Sequence, residues 1–196
     1  MRTLITEFIS LDGVVQAPGG PKEDTDGDFR HGGWSMKYFD PEVMGGTYDE
    51  LAKQSDALLQ GRRTYQVSAS AWPNRSGDTF SDWINSVQKY VVSDTLTEDE
   101  ISWKPTTIIR GAEFLEKVKA LRDQPGGYIY TYGSPTMVQS MMAADLVDDL
   151  LLTIEPIVLG GGKRLFVDNG EALTWELVST TAAKTGSQVC HYRRAR

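Results

Sequence analysis

A chain of 196 residues with 40% hydrophobic and 24% charged residues carries enough apolar material for one sizeable core. Its formal charge of −7 excludes a broad basic face of the kind that displaces counterions from nucleic acid. The single cysteine, Cys190, excludes an intrachain disulfide and suits a reducing compartment.

The first strand is predicted over residues 2–10, ending at the turn Leu11-Asp12-Gly13. The run alternates and carries Glu7, where a signal peptide needs an uninterrupted apolar stretch, and no run approaches the ~20 apolar residues of a membrane span. A soluble, cytoplasmic protein is expected. Residues 18–33 are rich in Gly, Asp and Pro and show no periodicity, so a long loop is predicted. It ends at Gly32-Gly33-Trp34: either a lid over a ligand, or a surface loop whose Trp34 plugs into the core.

A helix is predicted over 41–54, with Asp40 as N-cap, Pro41 in the first turn, and Val43, Met44, Tyr48 and Leu51 near helical spacing. Gly45 and Gly46 weaken it by about 1 kcal/mol each. A strand over 56–60 runs into Gly61, and a helix from Arg62 is broken at Ala71-Trp72-Pro73. Another short helix covers 78–86. Strands follow at 90–93 and 106–109, then an amphipathic helix with Phe114, Leu115, Val118 and Leu121 on one face. A strand over 128–132 leads to Gly133 and to a helix with Met137, Val138, Met141 and Met142 on its buried side. The most apolar run, 150–159, reads as a central strand entering Gly160-Gly161-Gly162. Two alternating stretches around 173–181 and 187–192 read as an antiparallel pair, with Cys190 an inert residue of an edge strand. Strands alternating with helices predict a single α/β domain over 1–196 with a mixed, mostly parallel sheet.

Chemistry is suggested by the glycine segments. Strand-to-helix turns at Gly61-Arg62-Arg63-Thr64 and Gly133-Ser134-Pro135-Thr136 would bring main-chain N–H groups to the positive ends of two helices, where phosphates bind. Thr64 can cap and donate, and an arginine can grip phosphate through two parallel bonds. The alternatives are solvated arginines and an ordinary helix start with Ser134 as N-cap. The segment Gly160-Gly161-Gly162-Lys163-Arg164 lacks P-loop spacing, and no G-x-G-x-x-G is present. No metal-ligand pattern is found, since His31 and His191 lie far apart. No G-x-S-x-G elbow marks a serine hydrolase.

Taken in order, Ser10-Leu11-Asp12-Gly13, Gly32-Gly33-Trp34, Gly61-Arg62-Arg63-Thr64-Tyr65, Tyr90-Val91-Val92-Ser93, Gly133-Ser134-Pro135-Thr136 and 146–162 resemble the dihydrofolate reductase-like superfamily. Within it the chain is similar to stand-alone relatives of the C-terminal reductase domain of the bifunctional riboflavin-biosynthesis deaminase–reductase. The resemblance covers nearly the whole chain and implies a three-layer α/β/α fold with NADPH as cofactor. It implies that Gly61, Arg62, Arg63 and Thr64 hold the cofactor phosphates, with an arginine near the 2′-phosphate. Ser93 and Asp94 would lie at the adenosine end, where an aspartate would repel that phosphate and weaken a preference for NADPH over NADH. Gly133, Ser134, Pro135, Thr136 and Met137 would lie along the pyrophosphate, and Asp12, Gly13 and Val14 near the nicotinamide, Asp12 with Trp34 facing substrate. Gly160, Gly161 and Gly162 would line the far side of the cofactor cleft, and Trp34 would close the lid.

The familiar acids are missing, because the matching positions are near Gly45 and at Thr131 and Tyr132. Thr153 matches a threonine that faces the pterin in dihydrofolate reductases. Glu155 is the carboxylate nominated as replacement acid, the alternative being a solvent-facing glutamate at a strand end. The implied activity is NAD(P)H-dependent hydride transfer to a small planar heterocycle; the alternative is a catalytically inactive nucleotide-binding protein. A homodimer is also expected, through an unpaired C-terminal sheet edge near Cys190, His191 and Tyr192, unless the chain's own N-terminal strand covers that edge.

Overall fold

Hydrophobic runs punctuated by glycine become eight strands and five α-helices in the computed structural model, which describes residues 1–195. The strands are β1 (Arg2–Ser10), β2 (Ser55–Gly61), β3 (Gln88–Val92), β4 (Thr106–Ile109), β5 (Tyr128–Thr131), β6 (Asp149–Glu155), β7 (Trp175–Ala182) and β8 (Gln188–Arg194). The helices are α1 (Gly46–Lys53), α2 (Arg62–Ala71), α3 (Thr79–Ser86), α4 (Phe114–Arg122) and α5 (Pro135–Ala143). The sheet order is β4-β3-β2-β5-β1-β6-β8-β7. Pairings β1–β5, β2–β5, β2–β3 and β3–β4 are parallel, and β6–β8 and β7–β8 are antiparallel, so the sheet is mixed and mostly parallel. None of the helices is long and apolar enough to cross a membrane among the described residues.

The chain divides into two compact units, and β1 contributes to both. The first comprises residues 1–5 and 47–148. Its parallel strands are apolar runs, with Leu58, Leu59 and Ile129 fully buried, as strands covered on both faces require. Asp78 caps α3 by accepting from the Ser81 N–H at 2.8 Å. Helix α4 buries Phe114, Val118 and Leu121, and α5 buries Met137, Val138, Met141 and Met142, so the methionine stripe is core packing. Lys89 in β3 is 1% exposed. Its ammonium donates to Val87 O at 2.9 Å and Asn85 O at 3.1 Å, at the C-terminal end of α3, and lies 4.6 Å from the Trp103 ring centre.

The second unit comprises residues 6–46 and the chain from Asp149 onward. Asp40 caps as predicted, accepting from Glu42 N–H at 3.0 Å and Val43 N–H at 3.3 Å. The predicted helix over 41–54 is in fact a π-helical turn, Pro41–Gly45, running into α1. The change of helix type falls at Gly45-Gly46, the weakest helix formers of the segment. Strand β6 stops at Glu155, four residues short of the predicted end. Pro156 has no N–H for the ladder, and the Ile157 N–H folds back onto Glu155 O at 2.7 Å. The predicted antiparallel pair is present, but β8 is not an edge strand: it lies between β6 and β7. Cys190 is buried, and His191 Nε2 meets the fully buried Asp149 carboxylate at 2.9 Å, so neither lies at the edge. The edge belongs to β7, where Leu177 and Val178 are both exposed next to an irregularity in register between Leu177 and Ser179.

Burial lowers the Lys89 pKa from 10.5 to about 8. Between those values the unfolded chain binds a proton that the folded chain lacks, so this group makes folding more favourable as pH rises from 8 to 10.5. Urea unfolding of Lys89→Met beside the wild type should therefore show the stability difference moving in favour of wild type across that window. A difference independent of pH would mean the ammonium is not desolvated.

Candidate functional site

In the first unit, parallel strands β2 and β5 are paired with Leu59 opposite Thr131, so both chains leave the sheet side by side. Each enters a helix at once: β2 through Gly61 into α2, and β5 through Gly133 and Ser134 into α5. The two turns touch. A Cβ on Gly61 would lie 2.5 Å from Ser134 Oγ, and a Cβ on Gly133, whose φ is +52°, would lie 2.6 Å from Thr64 Oγ1. The Gly133–Ser134 peptide is cis. Ser134 occupies the N-cap position but makes no capping bond, its hydroxyl being turned toward Gly61, while Pro135 fills the first helical turn as predicted.

Several predicted roles change here. Thr64 lies one turn inside α2, with Gly61 at the cap position, so it is not the cap. Arg62, Arg63 and Thr136 are exposed near the two helix starts, whereas Met137 is 6% exposed in the core and offers no surface to a ligand. Ser93 turns inward, accepting from the N–H groups of Leu96 (2.9 Å) and Thr95 (3.2 Å). Asp94 is exposed but anchored, accepting from Gly111 N–H at 2.7 Å. The sequence reading missed a polar chain beside the turns: Gln60 Nε2 donates to Ser68 Oγ at 3.1 Å, and Ser68 Oγ meets the Tyr132 hydroxyl at 2.9 Å. Gln60 Oε1 is buried without a hydrogen-bond partner among the described residues.

In the second unit the structure gathers residues 12–14 and 160–162 around one carboxylate. Asp12 accepts from Ser10 Oγ at 2.7 Å, Gly160 N–H at 2.9 Å and Leu159 N–H at 3.0 Å, with the Arg164 guanidinium 3.7 Å away. The Ser10 hydroxyl and then the Leu159 N–H lower its pKa to about 2. Asp12 is thereby a loop fastener, not a group aimed at substrate. Gly13 donates to Ser10 O at 2.9 Å and accepts from Leu165 N–H at 3.1 Å. Val14 is fully buried, with its N–H on Ser10 Oγ at 2.9 Å and its carbonyl accepting from Ser10 N–H at 3.0 Å. Their main-chain groups serve the fold. Gly162, at φ +125°, is packed so closely that a Cβ would meet Val14 Cγ1 at 2.8 Å, whereas no atom lies within 4 Å of a Cβ on Gly161.

The long loop is fastened as well. Trp34 is 6% exposed and its indole N–H donates to Gln16 O at 2.8 Å, so it is a plug and not a free flap. Gln16 accepts from Lys163 N–H at 3.0 Å and donates to Asp26 O at 3.0 Å, and the Lys163 ammonium bridges Asp24 and Asp26.

Glu155 is the unusual group. It is fully buried, its Oε1 accepts from the Ser35 hydroxyl at 2.8 Å, and its Oε2 is buried without a hydrogen-bond partner among the described residues. Burial outweighs the opposing pull of Ser35 and Lys37 and raises its pKa to about 7. The solvent-facing alternative is thus excluded, and a proton-donating carboxyl near neutrality is what the environment makes. Thr153, two residues earlier on the same face of β6, is also fully buried. Ser35 had no signal in the sequence, because its partner is 120 residues away.

Comparison with known proteins places these features in a family. The RibD C-terminal domain family matches residues 3–189. The uncharacterized protein YyaP of Bacillus subtilis (strain 168) is 29% identical over 189 residues, covering 94% of this chain and 90% of that protein. Among solved structures, a candidate riboflavin biosynthesis protein from Shewanella sp. PV-4 superposes with a TM-score of 0.73 at 21% identity, over 100% of both chains. Dihydrofolate reductase from Enterococcus faecalis, complexed with NADP(H) and RAB-propyl, gives 0.61 at 14% identity, covering 100% of this chain and 97% of that one. The two structural likenesses establish the dihydrofolate reductase-like α/β fold.

The contact between the turns is testable without a ligand. Gly61→Ala should cost about 1–3 kcal/mol in urea unfolding, as overpacking does. Adding Ser134→Gly, which removes the obstructing side chain, should recover most of that loss. Additive effects in this double-mutant cycle would mean that the turns do not meet.

Proposed function

The chain belongs to the RibD C-terminal domain family, and we propose that it is an NADPH-dependent reductase acting on a C=N or C=O bond of a small planar heterocycle. The observation that carries this reading is Glu155: a fully buried carboxyl with one oxygen held by Ser35 and the other without a partner. Family membership supports the reductase class, and the pterin and pyrimidine types of substrate follow from the resemblance.

The turns of the first unit fit a dinucleotide. Gly61 and Gly133 lead into the starts of α2 and α5, whose positive ends favour a phosphate and carry the exposed Arg62, Arg63 and Thr136. Gly61, Arg62, Arg63 and Thr64 with Gly133, Ser134, Pro135 and Thr136 would hold the phosphates. Arg62 would face the 2′-phosphate, opposed by the charge of Asp94. In the second unit Gly160 and Gly161 are exposed. When bound, NADPH supplies the hydride. Glu155 supplies the proton: its Oε2–H passes to the ring nitrogen or carbonyl oxygen as the neighbouring carbon is reduced, and the carboxylate left behind is re-protonated from water. Thr153, on the same strand face, would help to hold the heterocycle.

Steady-state oxidation of NADPH with a panel of pterins, pyrimidines, quinones and imines tests this. A member of the panel should be turned over, at a rate that falls as pH rises through about 7, because the acid must be protonated. Glu155→Gln should lower kcat at least ~100-fold with the NADPH Kd unchanged. NADPH binding without turnover of any member would instead favour the inactive nucleotide-binding protein.

The protein is further proposed to be a homodimer through the β7 edge, where Leu177 and Val178 are exposed beside unpaired strand backbone. Light scattering should give twice the 21.7 kDa chain mass. A monomer mass that does not change with concentration would rule the dimer out.

A further inference from the structure

Ser35 is buried at 3% exposure and belongs to no helix or strand, yet each of its polar groups is committed. Its N–H donates to Pro18 O at 3.2 Å and its carbonyl accepts from Tyr38 N–H at 2.9 Å. With the backbone held at both sides, and Trp34 beside it fixed through Gln16, the hydroxyl has one acidic neighbour, Glu155 Oε1 at 2.8 Å. A serine hydroxyl carries one proton. While that proton is given to Oε1, that oxygen acts as an acceptor, and a proton on the carboxyl must sit on the other oxygen. The other oxygen, Oε2, is the one without an internal partner.

We propose that Ser35 is a positioning residue that confines the transferable proton of Glu155 to Oε2 and ties the acid to the fastened loop of residues 16–34. The inference rests on Glu155 being the proton donor. In place, the loop presents the hydroxyl and directs the acidic proton outward from Oε1. If the Gln16–Trp34 fastening opens, the donor leaves and the carboxyl loses its orientation. The charged groups on the elements around Glu155 are Lys37 and Asp40 on the Ser35 segment, Arg2 and Glu7 in β1, Asp149 in β6, His191, Arg193 and Arg194 in β8, and Lys184 between β7 and β8. Of these, Lys37 acts on Glu155, and it works in the same direction as Ser35.

The test is a direct titration of Glu155 by carbon-13 NMR in protein labelled at the glutamate side-chain carboxyl, with Glu155→Gln identifying the resonance. In wild type the midpoint should lie about 7. Ser35→Ala removes a donor that favours the carboxylate, so the midpoint should rise by about one pH unit or more. Ser35→Thr keeps the hydroxyl and should return it to within a few tenths of wild type, and Ser35→Cys, a weaker donor, should fall between. These variants change little volume, and the threonine and cysteine forms keep the question open if the alanine form is unstable. With an accepted substrate, the pH–rate limb should move with the NMR midpoint. A midpoint unchanged in both Ser35→Ala and Ser35→Cys overturns the proposal. Because the titration needs neither cofactor nor substrate, it decides the Ser35 contact even if no substrate is turned over, which would count against the reductase reading alone.

Discussion

Two helices can begin side by side at the end of parallel strands only if the chain at both turns is thin. Residues 61 and 133 meet that requirement by having no side chain. Between Gly61 and Ser134 Oγ, and between Gly133 and Thr64 Oγ1, there is no room for even a methyl group. The parallel pairing of β2 with β5 sets the turns next to each other, and the missing Cβ atoms let them close. The same packing sets the positive ends of α2 and α5 next to each other. A change at either position therefore touches the packing of both turns.

The second unit solves a different problem, the cost of enclosing a carboxyl. Glu155 loses its hydration and gains one hydroxyl donor in return, which is too little to hold it fully ionised at neutral pH. Near pH 7 the folded chain therefore carries a part-protonated acid where water would carry an anion. Its pKa is raised on folding, so this group weakens the fold as pH climbs from 4.5 through about 7. An aliphatic or amide side chain at 155 would avoid that penalty.

Much of the fold was legible because its signals are local. The alternation of β1, the Asp40 cap, the break after Ala71 and the core stripe of α5 each depend on a few neighbouring residues. The failures at β8, Trp34 and Asp12 occurred where distant contacts decide, whereas those at Pro156 and Ser93 are local. Residues 150–159 read as one strand because they are apolar, but Pro156 ends the ladder. Strand β8 was taken for an edge because sequence order does not give spatial order. At the site, the glycine turns could be found from their strand–glycine–helix pattern. The inward turns of Ser93 and Trp34, and the fastening of Asp12 by Leu159 and Gly160, could not. Those bonds join segments up to 148 residues apart.

Asp12 and Glu155 show why a search for the acid by position alone goes astray. Both are carboxylates of the second unit, and sequence cannot rank them. Asp12 has a hydroxyl and two main-chain N–H groups directed at it, and its pKa falls to about 2. Glu155 is fully buried with one donor, and its pKa rises to about 7. Near neutral pH the first is a fixed negative charge that can only hold a loop, and the second can give up a proton. The division of labour is set by the number of donors each carboxyl receives and by its burial, not by the type of side chain. In this chain the carboxyl deprived of donors stands at the end of β6.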